Sequence, residues 1–311
     1  MTAGRTCPLH YRYAPEALDR APDPGLDGLD ALYVAGGVYG NLGALQALVA
    51  LVAADPSPRK ALVLNGDFHW FDVDPERFAE VQALALQQHV LRGNVETELA
   101  DESADPDAGC GCAYPDWVDQ GVVERSNRIL ARLRHATTRA QRAELAALPM
   151  HLRAEVGGCR IAIVHGDTES LAGWGLASEH LSDADMKARA DAGLRRAQAD
   201  AVVSSHTCLP VFQRLPSGWI FNNGAAGMPN FEDDSGGLVV RLGVKPYQGE
   251  VALEARCGSL HAQALRLSVD ADAQRQDFLA LWPVGSDAHL SYFDRIAHGP
   301  KYRPQAALRE N

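Results

Sequence analysis

Short apolar runs that stop at small or amide-bearing residues, each followed by a helix-like stretch, most limit the architectures open to this chain. Leu32-Tyr33-Val34-Ala35 stops at Gly36-Gly37, and Ala61-Leu62-Val63-Leu64 at Asn65-Gly66-Asp67. Val90-Leu91 precedes Gly93-Asn94, Arg160-Ile161-Ala162-Ile163-Val164 precedes His165-Gly166, and Ala201-Val202-Val203 precedes Ser204-Ser205-His206. Such runs, bounded by turn formers, read as buried strands. Residues 42–54 and 75–89 read as helices, the second with Pro75 in its first turn. Further helices are expected over 117–135, 138–148 and 182–200, with Thr138/Gln141 and Ser182/Asp185 in capping-box spacing. This alternation predicts an α/β sheet with a parallel part, whose ligands belong beyond the carboxyl ends of the strands.

After about residue 210 the pattern changes. Short strands at 211–215, 219–222, 238–242, 251–255 and 264–269 are separated by Gly, Pro and Asn, and suggest a second, mostly antiparallel sheet over the same core. Residues 1–30, with Pro8, Pro15, Pro22 and Pro24, read as an irregular leader. The main domain is expected over 31–270, with an Asp- and Pro-rich insertion at about 101–116 that carries Cys110-Gly111-Cys112. A helical tail follows over 271–311, with two short helices in 273–298 and the last dozen residues loosely tied.

Hydrophobic residues make up 46% and charged residues 22% of the 311, enough for a sizeable core. A net charge of -11 argues against a generic grip on nucleic-acid backbone. No run approaches the ~20 apolar residues of a membrane span. The first residues lack the apolar run of a signal peptide, and six scattered cysteines suit reduced thiols, so a cytoplasmic protein is expected.

Asp67, Asn94, His165 and His206 each end an expected strand beside a small residue that permits close approach. One carboxylate, one amide oxygen and two imidazoles form a mixed oxygen and nitrogen set suited to Mn, Fe or Zn. A metal there would polarise a phosphoryl oxygen and lower the pKa of a bound water from about 16 toward 7. Each dipeptide alone is an ordinary turn. Together, in this order, each after an apolar strand, they read as one site.

These islands resemble the calcineurin-like metallophosphoesterase family, whose pattern runs Asp-x-His, Gly-Asp, Gly-Asn-His, His, Gly-His-x-His. The likeness spans about residues 31 to 245. It extends to Asn222-Asn223-Gly224-Ala225-Ala226-Gly227, similar to the segment after the last motif in the small bacterial phosphodiesterase-like branch. The resemblance implies a two-sheet α/β/β/α sandwich, a bridging role for Asp67, and a second metal position completed by Asn94, His165 and His206. It also implies a small phosphorylated substrate and hydrolysis by direct attack of metal-bound hydroxide.

The departures matter equally. Gly37 and Tyr39 stand in place of the Asp and His of the first motif, Cys208 in place of the last His, and Val95 in place of a His that assists the leaving group. One ion is therefore expected rather than two. Tyr39 and Cys208, with help from Cys110 and Cys112, could rebuild the first position. Alternatively, one ion could suffice for activated esters, most simply diesters, or the site could bind metal or phosphate without turnover. His69 could face substrate as a general acid or be a loop histidine among aromatic residues. Glu96 stands where the family often has an orienting acid. Cys110 and Cys112, lacking a matching pair, are expected at the surface, and Arg195 and Arg196 on a solvated helix face.

Overall fold

The computed structural model describes residues 3–20, 23, 25–101 and 108–310, so Pro22, Pro24 and much of the expected insertion fall outside the described residues. Along the chain run β1 (Ala31–Ala35), α1 (Leu42–Ala54), β2 (Lys60–Asn65), α2 (Pro75–Ala85), β3 (His89–Leu91), α3 (Asn94–Ala100), α4 (Gln120–Ala136) and α5 (Arg139–Ala146). Then come β4 (His151–Val156), β5 (Cys159–Val164), α6 (Ala184–Arg196), β6 (Ala201–Ser204), β7 (Val211–Leu215), β8 (Gly218–Asn222), β9 (Leu238–Gly243), β10 (Leu253–Cys257) and β11 (Leu260–Arg266). The chain closes with α7 (Ala271–Leu281), α8 (Asp287–His298), α9 (Pro304–Ala307) and β12 (Leu308–Arg309).

The strands form two six-stranded sheets, ordered β10-β11-β9-β1-β2-β3 and β12-β7-β8-β6-β5-β4. β1, β2 and β3 are parallel in the first, and β5, β6 and β8 in the second. Strand alternation divides the core into layers. Leu32 and Val34 point inward and join Ile161, Ile163, Val203 and Phe221 between the sheets. Tyr33 and Ala35 point outward and pack with Leu45 and Leu48 of α1 and Phe78 and Val81 of α2. Ala162, Val164, Val202 and Ile220 meet Leu194 of α6 on the opposite outer face. The result is the expected α/β/β/α sandwich.

Several local expectations are corrected. The C-terminal strands do not make a sheet of their own: β9, β10 and β11 extend the first sheet, while β7 and β8 extend the second. The second expected helix stops at Ala85, because residues from His89 pair with β2 as β3. The cap of α6 is Asp183, whose carboxylate accepts from the N–H groups of Asp185 and Met186, rather than Ser182. The final residues are tied down: β12 pairs with β7, and the Arg309 guanidinium donates to Ser178 and Ser182. The expected leader is packed and carries two short 3₁₀ turns, Leu9–Tyr11 and Pro15–Leu18, with Tyr11, Leu18, Leu26 and Leu29 buried. Thr138 and Gln141 form the expected capping box. No helix among the described residues is long and apolar enough to cross a membrane.

Candidate metal centre

The turn that carries Asp67 is held open by backbone geometry and by a neighbouring helix. Gly66 and Asp67 both have positive φ, +77° and +55°. A Cβ on Gly66 would fall 2.5 Å from Gly93 N, and one on Gly93 would fall 2.2 Å from Asp67 Oδ1. Only glycine lets the β2–α2 and β3–α3 loops meet this closely. Glu96, fully buried in α3, clamps both loops, its carboxylate accepting from the N–H groups of Asp67 (2.7 Å), Phe68 (2.9 Å) and Gly93 (2.9 Å). It holds the turn from behind.

On the other side of that turn four polar atoms converge. His165 Nε2 lies 3.3 Å from Asp67 Oδ2, 3.2 Å from Asn94 Oδ1 and 3.2 Å from His206 Nδ1. The outer nitrogen of each ring is committed elsewhere: His165 Nδ1–H donates to the Asn65 carbonyl (2.8 Å) and His206 Nε2–H to the Cys112 carbonyl (3.0 Å). The Asn94 amide donates to the Cys110 carbonyl (2.8 Å), which turns its oxygen toward the histidines. In the neutral tautomers these bonds fix, every inward atom is a lone-pair donor. Atoms each about 2.1 Å from one ion, at tetrahedral or octahedral angles, lie about 3.0–3.4 Å apart. The three distances from His165 Nε2 have that spacing, and the Asp67, His165 and His206 ligand atoms all lie within 4.8 Å of one another. The residues present fit a divalent ion.

The electrostatics agree. Burial works against the Asp67 carboxylate, but His165 and His206 outweigh it and hold its carboxyl below the ordinary range. Burial disfavours the charged His165 ring as well, yet Asp67 lifts it above its ordinary value. Burial and the adjacent His165 pull His206 down to about 4, so that ring is neutral near pH 7. A buried carboxylate beside two imidazoles set edge to face is a centre of negative charge that a cation relieves.

Tyr39 and Cys208, which stand where the resemblance expects ligands of another metal, pack against each other. Tyr39, with φ +56°, folds its ring back over Gly37, where a Cβ would lie 2.2 Å from Tyr39 Cζ. The phenol oxygen sits 2.8 Å from Cys208 Sγ. Burial and the nearby thiol push the Tyr39 hydroxyl well above its usual value, and burial raises the Cys208 thiol too. Neutral Tyr39 and Cys208 hold each other, and Cys208 lies outside the Asp67, His165 and His206 group.

Other expected site residues fall elsewhere. His69 is fully buried, bonded through Nδ1 to Asp72 (2.9 Å) and stacked on Phe78 at 3.6 Å, and is not part of the ligand cluster. Cys110 and Cys112 are buried rather than at the surface, with sulfurs 3.0 Å apart and backbone carbonyls that orient Asn94 and His206. Arg195 and Arg196 pair with Asp191, Glu16 and Glu169 on the outside of α6. The 222–227 segment crosses the end of β1, where Ala226 and Gly227 donate to the Gly37 carbonyl.

A cavity of about 190 Å³ opens beside Asp67, Asn94 and His206. Its walls are Trp70, Tyr114, Trp174, Tyr292 and Met228, with Arg295 of α8 at one side. Sequence reading missed all of these. The Gly173-Trp174-Gly175 loop after His165 was the one available signal, and nothing in the pattern of α8 marks Arg295.

No family model matches the sequence, and no curated protein matches it. The fold is nonetheless similar to solved structures. A hypothetical protein from Pyrococcus horikoshii OT3 aligns over 87% of this chain and 99% of its own, with 15% identity and a TM-score of 0.61. A metallophosphoesterase from Sphaerobacter thermophilus aligns over 87% of this chain and 100% of its own, with 15% identity and a TM-score of 0.54. The chain has the calcineurin-like metallophosphoesterase fold. On this metallophosphoesterase scaffold the Asp67, Asn94, His165 and His206 cluster sits beyond the carboxyl ends of β2, β3, β5 and β6, the two sheets meeting at one site.

Proposed function

We propose that this chain is a metal-dependent phosphoester hydrolase of the phosphodiesterase type, working with one divalent ion, Mn, Fe or Zn, on a small phosphorylated substrate. The observation that carries the reading is the buried grouping of Asp67, Asn94 and His206 donor atoms within 3.3 Å of His165 Nε2, at the edge of an open cavity. When bound there, the ion supplies positive charge for a phosphoryl oxygen and a water of lowered pKa. The protein does the rest. Glu96 and the Cys110 and Cys112 carbonyls hold the ligands in register. Arg295, anchored to the Cys208 and Pro229 carbonyls, brings a fixed positive charge to the cavity wall. Val95 presents only methyl groups, so the leaving group departs without help from an imidazole at that position. Esters with good leaving groups are favoured accordingly.

Elemental analysis of purified protein, paired with hydrolysis of bis-p-nitrophenyl phosphate in Mn, tests this. About one ion per chain with turnover is expected, from the single set of donors described above. Asp67→Asn is expected to lose the ion and the turnover together. An Asp67→Asn protein that keeps both sinks the assignment.

A second reading has its own observation, the Tyr39 ring that closes the first metal position. On that reading the chain binds a metal or a phosphorylated ligand without turnover. One ion per chain with no hydrolysis of any phosphoester would favour it.

A further inference from the structure

The cavity beside the ligand cluster has a size and a lining that restrict what can enter. At about 190 Å³ it is small for a ligand pocket and close to the roughly 150 Å³ cavity known to admit benzene. Trp174 stands next to the cluster, its ring 5.5 Å from that of His206, and Tyr114 lies 6.0 Å from Trp174. Trp70 and Tyr292, also in the lining, form an edge-to-face pair at 6.4 Å. Trp117, 54% exposed and 6.2 Å from Trp174, carries the aromatic surface out to solvent. Arg295 is the one guanidinium or ammonium group among the lining residues.

The chemistry of the lining points the same way. No imidazole or carboxyl group outside the ligand cluster itself lines the cavity, and Val95 and Val122 contribute methyl groups. A departing alkoxide would find no strong acid there. An aryl oxide, whose charge spreads into its ring, needs none.

We infer that the cavity accepts a phosphoester whose bridging oxygen is attached to a planar aromatic ring, with the ring held between Trp174 and the Trp70–Tyr292 wall. This rests on the hydrolase reading given above and names its substrate class. In the reaction water attacks phosphorus and loses a proton to solvent. The bond from phosphorus to the aryl oxygen breaks, its electron pair leaves on the aryl oxide, and solvent protonates that product.

The test compares two ligands that cannot be hydrolysed, phenylphosphonate and methylphosphonate, by calorimetric titration into the Mn-loaded full chain. Phenylphosphonate is expected to bind tighter by about tenfold or more, the scale of one good ring contact with its burial. In Trp174→Leu that ratio is expected to fall below about threefold, with only the ring's lesser contacts left. Equal affinities in the natural protein overturn the aryl assignment and leave the hydrolase reading standing. If neither ligand binds, both fall. The comparison in the natural protein decides the matter even if Trp174→Leu does not fold.

Discussion

A side chain at Gly37 and the ring of Tyr39 compete for the same volume, so the departures in the first metal motif act as a set. Gly37→Asp alone is expected to lower stability by about 1–3 kcal/mol through overpacking, read as a lower denaturation midpoint. With Tyr39→His and Cys208→His added, the ring and thiol are gone and the loss should be recovered. Metal content should then rise from one ion per chain to two. A triple variant that stays at one ion would mean the first position is closed by more than these residues. His165 makes a separate prediction. Asp67 raises its pKa, so in the metal-free protein it holds a proton below that raised value. An incoming ion must displace that proton, so metal uptake releases protons and weakens as pH falls through the raised value. Mn titrations in buffers of differing ionisation enthalpy would show the release. Its absence near pH 6.5, the ordinary histidine value, would mean His165 is already neutral.

At the scale of elements, α3 shows how a chemical motif can hide a structural one. Gly93-Asn94-Val95-Glu96 reads in the sequence as a metal island, yet the same residues open a helix of 7 residues. Its N-cap is Gly93, whose lack of a side chain removes the usual start signal; Asp67 Oδ1 accepts from the Val95 N–H in its place, while Glu96 accepts from the Gly93 N–H. Glu96→Gln keeps one acceptor oxygen and turns an amide NH₂ against at least one of the three backbone N–H donors. It is expected to cost about 1–3 kcal/mol and to weaken metal retention, measured by denaturation and elemental analysis. Retention unchanged at lowered stability would confine Glu96 to a structural part. β4 escaped notice for a related reason, since His151, Arg153 and Glu155 look like a solvated stretch. Arg153 is in fact buried, donating to Asp19 and to the Leu18 and Ala197 carbonyls. The strands that end in ligands were legible because each is a continuous apolar run. The sheet to which β7 to β11 belong was not, because a two-residue period states which face is buried but not which neighbour pairs. The aromatic cavity came from four separate segments, and no local pattern joins them.

Across the whole molecule the metal end and the opposite end are stabilised by different means. Far from the ligands, where β1 and β2 begin, buried Arg241 donates to Asp55 (2.8 Å) and to the Tyr33 hydroxyl (3.1 Å), and Tyr33 donates to Asp55. Asp55→Ala would leave the guanidinium buried without its counter-charge, at an expected cost of about 3–5 kcal/mol. Metal content should not change, and a loss of both would show the two ends to be coupled. The Asp55 carboxyl is held below its ordinary value by bonds from Ser57, Tyr33 and Arg241 that overcome its burial. Its folded-state value is the lower one, so its contribution is present above the ordinary carboxyl value of about 4 and is lost as pH falls below it. The short pairing of β12 with β7 has a consequence of another kind. Leu308 and Arg309 occupy the flank of β7, whose Val211, Phe212 and Leu215 are buried. Deleting residues 304–311 would bare that flank, and an unpaired strand edge is a template for another copy of itself. The shortened protein is expected to scatter light increasingly with concentration while the full chain does not, which would make those few residues a guard against self-association.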